Sequence, residues 1–464
     1  MPFVILPTNS ASGGYNITNS LRFNRGSSDT LSKTFSTATN YKIQTFSAWI
    51  KRANISSSTT YRLMGGYNGS ASFSTEINFQ NDSLRMEFGG SSQYSLTTSQ
   101  LFRDVSAWYH IVVAVDTTQA TSSNRVKMYV NGSQVTAFGT ANYPAQNDNS
   151  QLTSANANNY IGAGWSGGEP FDGYMSDVFF IDGQALTPSS FGETDFDTGI
   201  WKPKAYTGTY GTNGFYLQFK NSSSLGTDSS GNGNTFTVNN LTSIDQTTDT
   251  PTNNFATGNP LSTYSNRTIT EGNLVLTSTT TSWTNMLSTI SLNSGKWYIE
   301  AKATAGSYHS IGIVDTVSYF NNENASIGDY TISNQQIGYY SNTGTKKVNQ
   351  STSSYGNTWT NGDIIGIALD LDNNYIYFSK NGTWQNSGVP TSGSSGTGGI
   401  SITSGVYYAI AVAVYNSSAM TFNFGAGTTY SANSYTDGAG YGNFSYAVPS
   451  GYYALCTKNL ANFG

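Results

Sequence analysis

Apolar and polar positions alternate with period two in short runs along almost the whole chain. In residues 126–130, Val126, Met128 and Val130 fall on one side and Lys127 and Tyr129 on the other, the pattern of a strand that buries one face. Comparable runs occur at 21–23, 46–50, 77–79, 84–88 and 111–115, and resume at 273–276, 297–301, 311–314, 364–369, 375–378, 407–414 and 420–424. Between them stand turn formers such as Asn131-Gly132, Asp172-Gly173 and Asp182-Gly183, where glycine supplies the positive φ that hairpins need. Residues 363–382 therefore predict two strands joined by a tight turn and followed by a second turn at Asn381-Gly382, and residues 108–132 repeat the plan. No amphipathic helix is predicted; Thr187-Pro188-Ser189-Ser190 opens a single turn at most.

These runs predict an all-β chain of two antiparallel β-sandwich domains joined by a small β bridge. The first sandwich is expected over residues 1–200 and the second over 262–428. The bridge, 201–261, is expected to carry its own strand pair, 215–219 with 236–238, around Asp228-Ser229-Ser230-Gly231-Asn232-Gly233-Asn234. Residues 429–464 form a Tyr/Gly-rich tail that docks on the sandwich or on a partner.

Composition narrows the function. At 464 residues with 37% hydrophobic and 14% aromatic content the chain can bury real cores. Charged residues make up only 10%, and Gly, Ser, Thr and Asn fill the gap. With a net charge of -5 and 21 scattered basic residues there is no stripe to displace counterions, so nucleic-acid binding is not expected. The single cysteine, Cys456, rules out an internal disulfide and a multi-cysteine metal site. Residues 3–6, between Pro2 and Pro7, lack the flanks of a signal peptide, and no apolar stretch is long enough to span a bilayer. Synthesis without a signal peptide, in a host cytoplasm, and no membrane insertion are the expectations.

The first set of strands resembles a laminin-G-like member of the concanavalin A-like jelly rolls over roughly residues 15–190. The resemblance rests on Leu21-Arg22-Phe23-Asn24 with Asp29, Phe46-Ser47-Ala48-Trp49-Ile50-Lys51, Trp108-Tyr109-His110, Val130-Asn131-Gly132 and Phe171-Asp172-Gly173-Tyr174-Met175-Ser176-Asp177. Asp228 to Asn234 is similar to the segment that opens such domains. Residues 262–425 resemble a SPRY domain through Gly295-Lys296-Trp297-Tyr298-Ile299-Glu300, Ile311-Gly312-Ile313, Gly338-Tyr339-Tyr340, Gly362-Asp363-Ile364-Ile365-Gly366, Asp370-Leu371-Asp372, Phe378-Ser379-Lys380-Asn381-Gly382 and Asn423-Phe424-Gly425. The two modules in a Thr/Asn/Ser-rich chain resemble structural proteins of tailed bacteriophages. That resemblance implies a place on the virion surface in a tail fibre, head fibre or capsid decoration, with other virion proteins, a host-surface glycan and further copies of the chain, as a homo-oligomer such as a trimer, for partners.

Candidate chemistry is sparse. A retaining glycan hydrolase needs two carboxylates about 5 to 5.5 Å apart. Glu76 and Glu87 stand alone in their runs, and Glu169 and Asp172 straddle Pro170, so the chain is expected not to be an enzyme. His110 opens an apolar strand and His309 falls in a predicted loop, neither beside an obvious nucleophile. Asp172, Asp177, Asp182, Asp228 and Asn232 are the hard oxygen donors that calcium would take, in segments that are turn formers first; no cofactor is required. Sugars stack on flat rings, which makes Trp165, in Gly162-Ala163-Gly164-Trp165-Ser166-Gly167-Gly168, the best-placed ligand-binding candidate, with Tyr67, Tyr94 and Tyr143 behind it. Tyr319, Phe320, Tyr339, Tyr340 and Trp384 are their counterparts in the second module, whereas Trp49, Trp108, Trp297 and Trp359 are assigned to cores. Three classes follow: receptor-binding protein, purely structural cement protein, and glycan hydrolase.

Overall fold

The computed structural model describes residues 14–37, 39–67, 74–89, 94–261, 266–316, 326–329, 335–427, 429–430 and 435–464. The chain divides into two compact units, Ala11–Thr252 and one that contains Asn253–Gly464. Each is a sandwich of two antiparallel sheets.

In the first unit one sheet runs in the order Ser133–Gln134, Val126–Val130, Trp108–Asp116, Ile43–Arg52, Gly173–Asp182, Ser20–Phe23, Gln246–Thr247, with Phe215–Leu217 also on Gly173–Asp182. The other runs Phe138–Asn142, Tyr94–Leu101, Ser83–Phe88, Ser74–Gln80, Thr60–Tyr67, Asn158–Ile161, Thr30–Thr34, Thr237–Asn239. Alternate residues of both, among them Leu21, Phe46, Ile111, Ile77, Phe79 and Met86, meet in one buried core, as the period-two pattern requires. Asn131 and Gly132 both have positive φ and turn the chain from Val126–Val130 into Ser133–Gln134.

The bridge differs from its sequence-based expectation. Phe215–Leu217 does not pair with Thr237–Asn239; the first joins Gly173–Asp182 in one sheet and the second joins Thr30–Thr34 in the other. Apolar Phe215, Leu217 and Phe236 are drawn into the sandwich core, which is worth more than a free-standing two-stranded sheet. Gly192–Thr194 and Trp201–Pro203 make a small sheet of two strands.

In the second unit one sheet runs Arg267–Thr270, Val275–Ser278, Ala419–Asn423, Lys296–Ala305, Ile364–Asp370, Tyr375–Lys380, Thr383–Trp384, with Ile400–Ser401 on Tyr375–Lys380. The other runs Thr284–Leu292, Tyr408–Val414, His309–Asp315, Gln336–Tyr340, Thr345–Val348, Ser351–Ser354. The predicted hairpin is present, with Asp370 opposite Tyr375 and positive φ at Asn374, Asn381 and Gly382. The tail packs on its own module: Phe444, Tyr452, Ala454 and Cys456 bury themselves against Tyr298, Ala368 and Tyr377. Its last turns form a helix, Thr457–Phe463, that the sequence pattern did not predict. Among the described residues no helix is long and apolar enough to cross a membrane.

Candidate binding face

The outward side of the first unit's second sheet carries the most built-up candidate site. Its register sets Asn142, Ser95, Glu87, Glu76, Gly65, Tyr160, Ser32 and Thr237 in one row across eight strands. Over this row folds the turn Trp165–Gly167, tied by the Gly168 amide to the Trp165 carbonyl and by the Trp165 amide to Glu76 Oε1 at 3.0 Å. Gly164 is needed here because a Cβ would fall 1.8 Å from Arg62 Cδ, and a Cβ on Gly65 would lie 2.7 Å from Gly164 Cα. The loop can therefore settle onto the sheet, and Trp165 is left 43% exposed with its ring edge-on to Tyr67 at 5.7 Å.

Beneath the ring Arg62 bridges two carboxylates, Glu76 and Glu169. Next to them Arg85 pairs with Glu87 at 2.9 Å, and Asn78 Nδ2 donates to Glu87 at 3.0 Å. Glu76 and Glu87, which look solitary along the chain, thus stand directly opposite across two strands. Strand register, which is not visible in one run, makes the pair. Both carboxylates are held by arginines, Glu76 by Arg62 and Glu87 by Arg85. Glu169 is exposed while Asp172 is buried, so that pair is divided.

The other candidates part company. Tyr94 and Tyr143 pack against the first core, Tyr339 is fully buried among Tyr355, Trp359 and Phe378, and Trp384 lies edge-on to Tyr298. Burial assigns Tyr339 to packing, whereas Tyr94, Tyr143 and Trp384 are half-buried, and Tyr143 also lines a surface pocket with Lys127 and Gln134. Tyr319 and Phe320 lie outside the described residues.

The candidate calcium donors serve the protein's own hydrogen bonds. The Asp228 carboxylate accepts from the Tyr216, Ser230 and Asn234 amides and the Ser230 hydroxyl, and Asn232 donates to the Gly211 and Gly214 carbonyls. Asp177, at a bulge, accepts from the Tyr216 hydroxyl at 2.7 Å, and burial pushes its carboxyl up to about 6. Asp182 accepts from the Asn213 amide, and Asp172 is buried at the head of Gly173–Asp182. Asp177 and Asp228 are brought to opposite ends of Tyr216 rather than into one cage. Among the described residues no three His, Cys, Asp or Glu are grouped to hold a metal ion.

Both histidines are buried. His110 does have a hydroxyl beside it: Ser47 Oγ is 2.9 Å from Nε2. Yet the indole of Trp201, which can only donate, gives its proton to His110 Nδ1 at 3.0 Å. Nε2 must then carry the hydrogen and donate to Ser47, the reverse of what a nucleophile needs from its base. Burial holds this imidazole neutral, down to about 3. His309 lies in the strand His309–Asp315 rather than a loop, with Nε2 on the Ala305 carbonyl at 2.7 Å and its ring stacked on Trp359.

Sequence reasoning missed Arg62 and Tyr160 on the binding face. Alternation alone puts Glu76 and Asn78 outward in one strand and Arg85 and Glu87 in the next, and that was the available signal.

Two antiparallel sandwiches, one with a polar face beneath the exposed Trp165 ring, suit a protein of binding or adhesion type. Residues 19–190 match the concanavalin A-like lectin/glucanases superfamily and residues 296–427 match the SPRY domain. Among solved structures it is similar to the SPRY domain of human HERC1, with 16% identity over 38% of this chain and 99% of that one at a TM-score of 0.28. It is also similar to the native heptameric SAP-like pentraxin from Limulus polyphemus, with 20% identity over 38% of this chain and 80% of that one at a TM-score of 0.29. A comparison with curated proteins finds no match to this chain.

Proposed function

We propose that the chain is a non-enzymatic adhesion and structural protein of a bacteriophage virion, borne on a tail fibre, head fibre or capsid decoration, and that its first sandwich holds a host-surface glycan on the face crowned by Trp165. The observation that carries this reading is the exposed Trp165 ring set against Tyr67 above a polar row in which arginine-paired Glu76 and Glu87 are flanked by Ser95 and Asn142 on one side and Tyr160, Ser32 and Thr237 on the other. A sugar offers such a face an apolar ring side and a fringe of hydroxyls, and both are matched. Low charge fits the role, because uncharged contacts lose little to salt screening. The remaining surface would meet other virion proteins and further copies of the chain, as in a trimeric fibre. A cement protein would bury its loops and its Tyr-rich tail against capsid or tail proteins, and here the tail packs on its own module.

The test is binding of the purified full chain to immobilised bacterial surface polysaccharides, lipopolysaccharide O-chains and capsules. Trp165→Ala should weaken retention roughly tenfold, equivalent to about 1.4 kcal/mol, with its melting temperature unchanged. Equal retention by W165A, or release of reducing sugar by the wild-type chain, would overturn the reading.

A further inference from the structure

The second module has a groove of about 360 Å³ on its smaller sheet, outside the face described above. Its aromatic wall is a product of strand register. Thr284, Val414 and His309 lie side by side on three adjacent strands. The residue just beyond the paired end of each is an aromatic: Trp283, Tyr415 and Tyr308. Trp283 and Tyr415 are 5.6 Å apart and Tyr415 and Tyr308 5.5 Å, so the three rings run as a continuous rank. Tyr308 is 40% exposed.

The facing wall is polar and electrically balanced. Asn342, Thr345 and Thr352 line it with amide and hydroxyl groups. Its two charges, Asp329 and Lys347, form an ion pair with each other, and Lys347 Nζ lies 4.7 Å over the Tyr340 ring. An anionic ligand would have to compete with Asp329 for the lysine. A ligand with a flat apolar side and many hydroxyls meets complementary groups on both walls.

We infer that this groove is a second carbohydrate site, one that takes a neutral oligosaccharide with its sugar faces on Tyr308, Tyr415 and Trp283 and its hydroxyls on the threonine side. It stands on the second module alone and does not depend on the Trp165 face. A chain with two such sites would hold a repeating polysaccharide by avidity rather than by one strong contact.

The test uses the full chain on an array of short neutral glucans, galactans and mannans, with a charged polysaccharide and a proline-rich peptide as competing probes. Variants are Tyr308→Ala, Tyr308→Phe, the double variant Y308A/Y415A, and W165A. The expected result is a neutral oligosaccharide that W165A still retains, that Y308A loses by roughly tenfold and that Y308F restores, since the ring makes the contact. Exposure of Tyr308 means its truncation leaves the fold intact, checked by thermal melting. Neutral sugars bound equally by wild type, Y308A and the double variant would overturn the inference. So would groove-dependent retention of only the proline-rich peptide or the charged polymer. Loss of all sugar binding in W165A, with Y308A unaffected, would sink this site and leave the first; a neutral oligosaccharide lost only in Y308A, with no polysaccharide weakened by W165A, would leave this site and sink the first.

Discussion

The two modules each cover one sheet from outside with a later segment of the chain, but they fasten the covering differently. In the first, residues after the matched domain return across the sheet and close it with charge pairs: Arg22 with Asp245 at 2.9 Å and Lys51 with Asp249 at 2.7 Å, the Asp249 carboxylate also accepting from the Trp108 indole. In the second, the tail is fastened to an anion that forms no ion pair among the described residues. Glu300 accepts from the Ser445 and Tyr446 amides at 2.9 Å each, from the Tyr298 hydroxyl and from Asn423, and burial raises its pKa. Cation and anion buried together stand or fall together; an anion held by neutral donors tolerates neutralisation. The contrast separates two ways of anchoring a chain segment to a sheet.

Asp249→Ala probes the first anchor and carries the largest expected effect. It removes the carboxylate to which both Lys51 Nζ and the Trp108 indole donate, and unfolding by denaturant should report a loss of about 3–5 kcal/mol. An effect below that of an ordinary surface substitution would show that the pair does not fasten the segment.

A pH titration tests the same covered face through Asp177. The folded state holds its proton up to about 6, against 3.8 for an ordinary aspartate. The associated stability is therefore complete below 3.8 and is lost as pH rises to about 6. Relative to Asp177→Asn, the wild-type protein should lose about 3 kcal/mol across that window. A stability difference that stays flat with pH would contradict the buried, proton-favouring site.

Glu300→Gln is the mild case. It keeps shape and one acceptor oxygen, removes the charge and sets its NH2 against one of the two backbone amides, so the second module should lose about 1–3 kcal/mol. A loss as large as that of D249A would erase the contrast between the anchors.

Much of this plan was legible in the sequence. Alternation and Asn-Gly turns gave the strands from Phe46, Trp108, Ile364 and Tyr375 with their turns, because a sandwich writes its inside and outside into every second residue. Residues 215–239 were misassigned for a related reason: a short apolar run shows that a strand exists but not which sheet will accept it. The site was half legible. Trp165 stood out as an aromatic in a glycine loop, and Tyr67 was brought to it, whereas Glu76 opposite Glu87, and the rank of Trp283, Tyr415 and Tyr308, depend on register between distant segments. Tyr339 is buried in its core, which was not legible because an aromatic at a strand end looks the same whether it turns toward water or toward the core.

Cys456 sits beneath the docked tail, in bridge contact with Phe255, and burial pushes its thiol up to about 12. A protonated, enclosed sulfur is a poor nucleophile. The molecule therefore meets oxidants and thiol reagents as if it had no cysteine, and the rate at which a maleimide labels it measures how often the last segment lifts from its sheet.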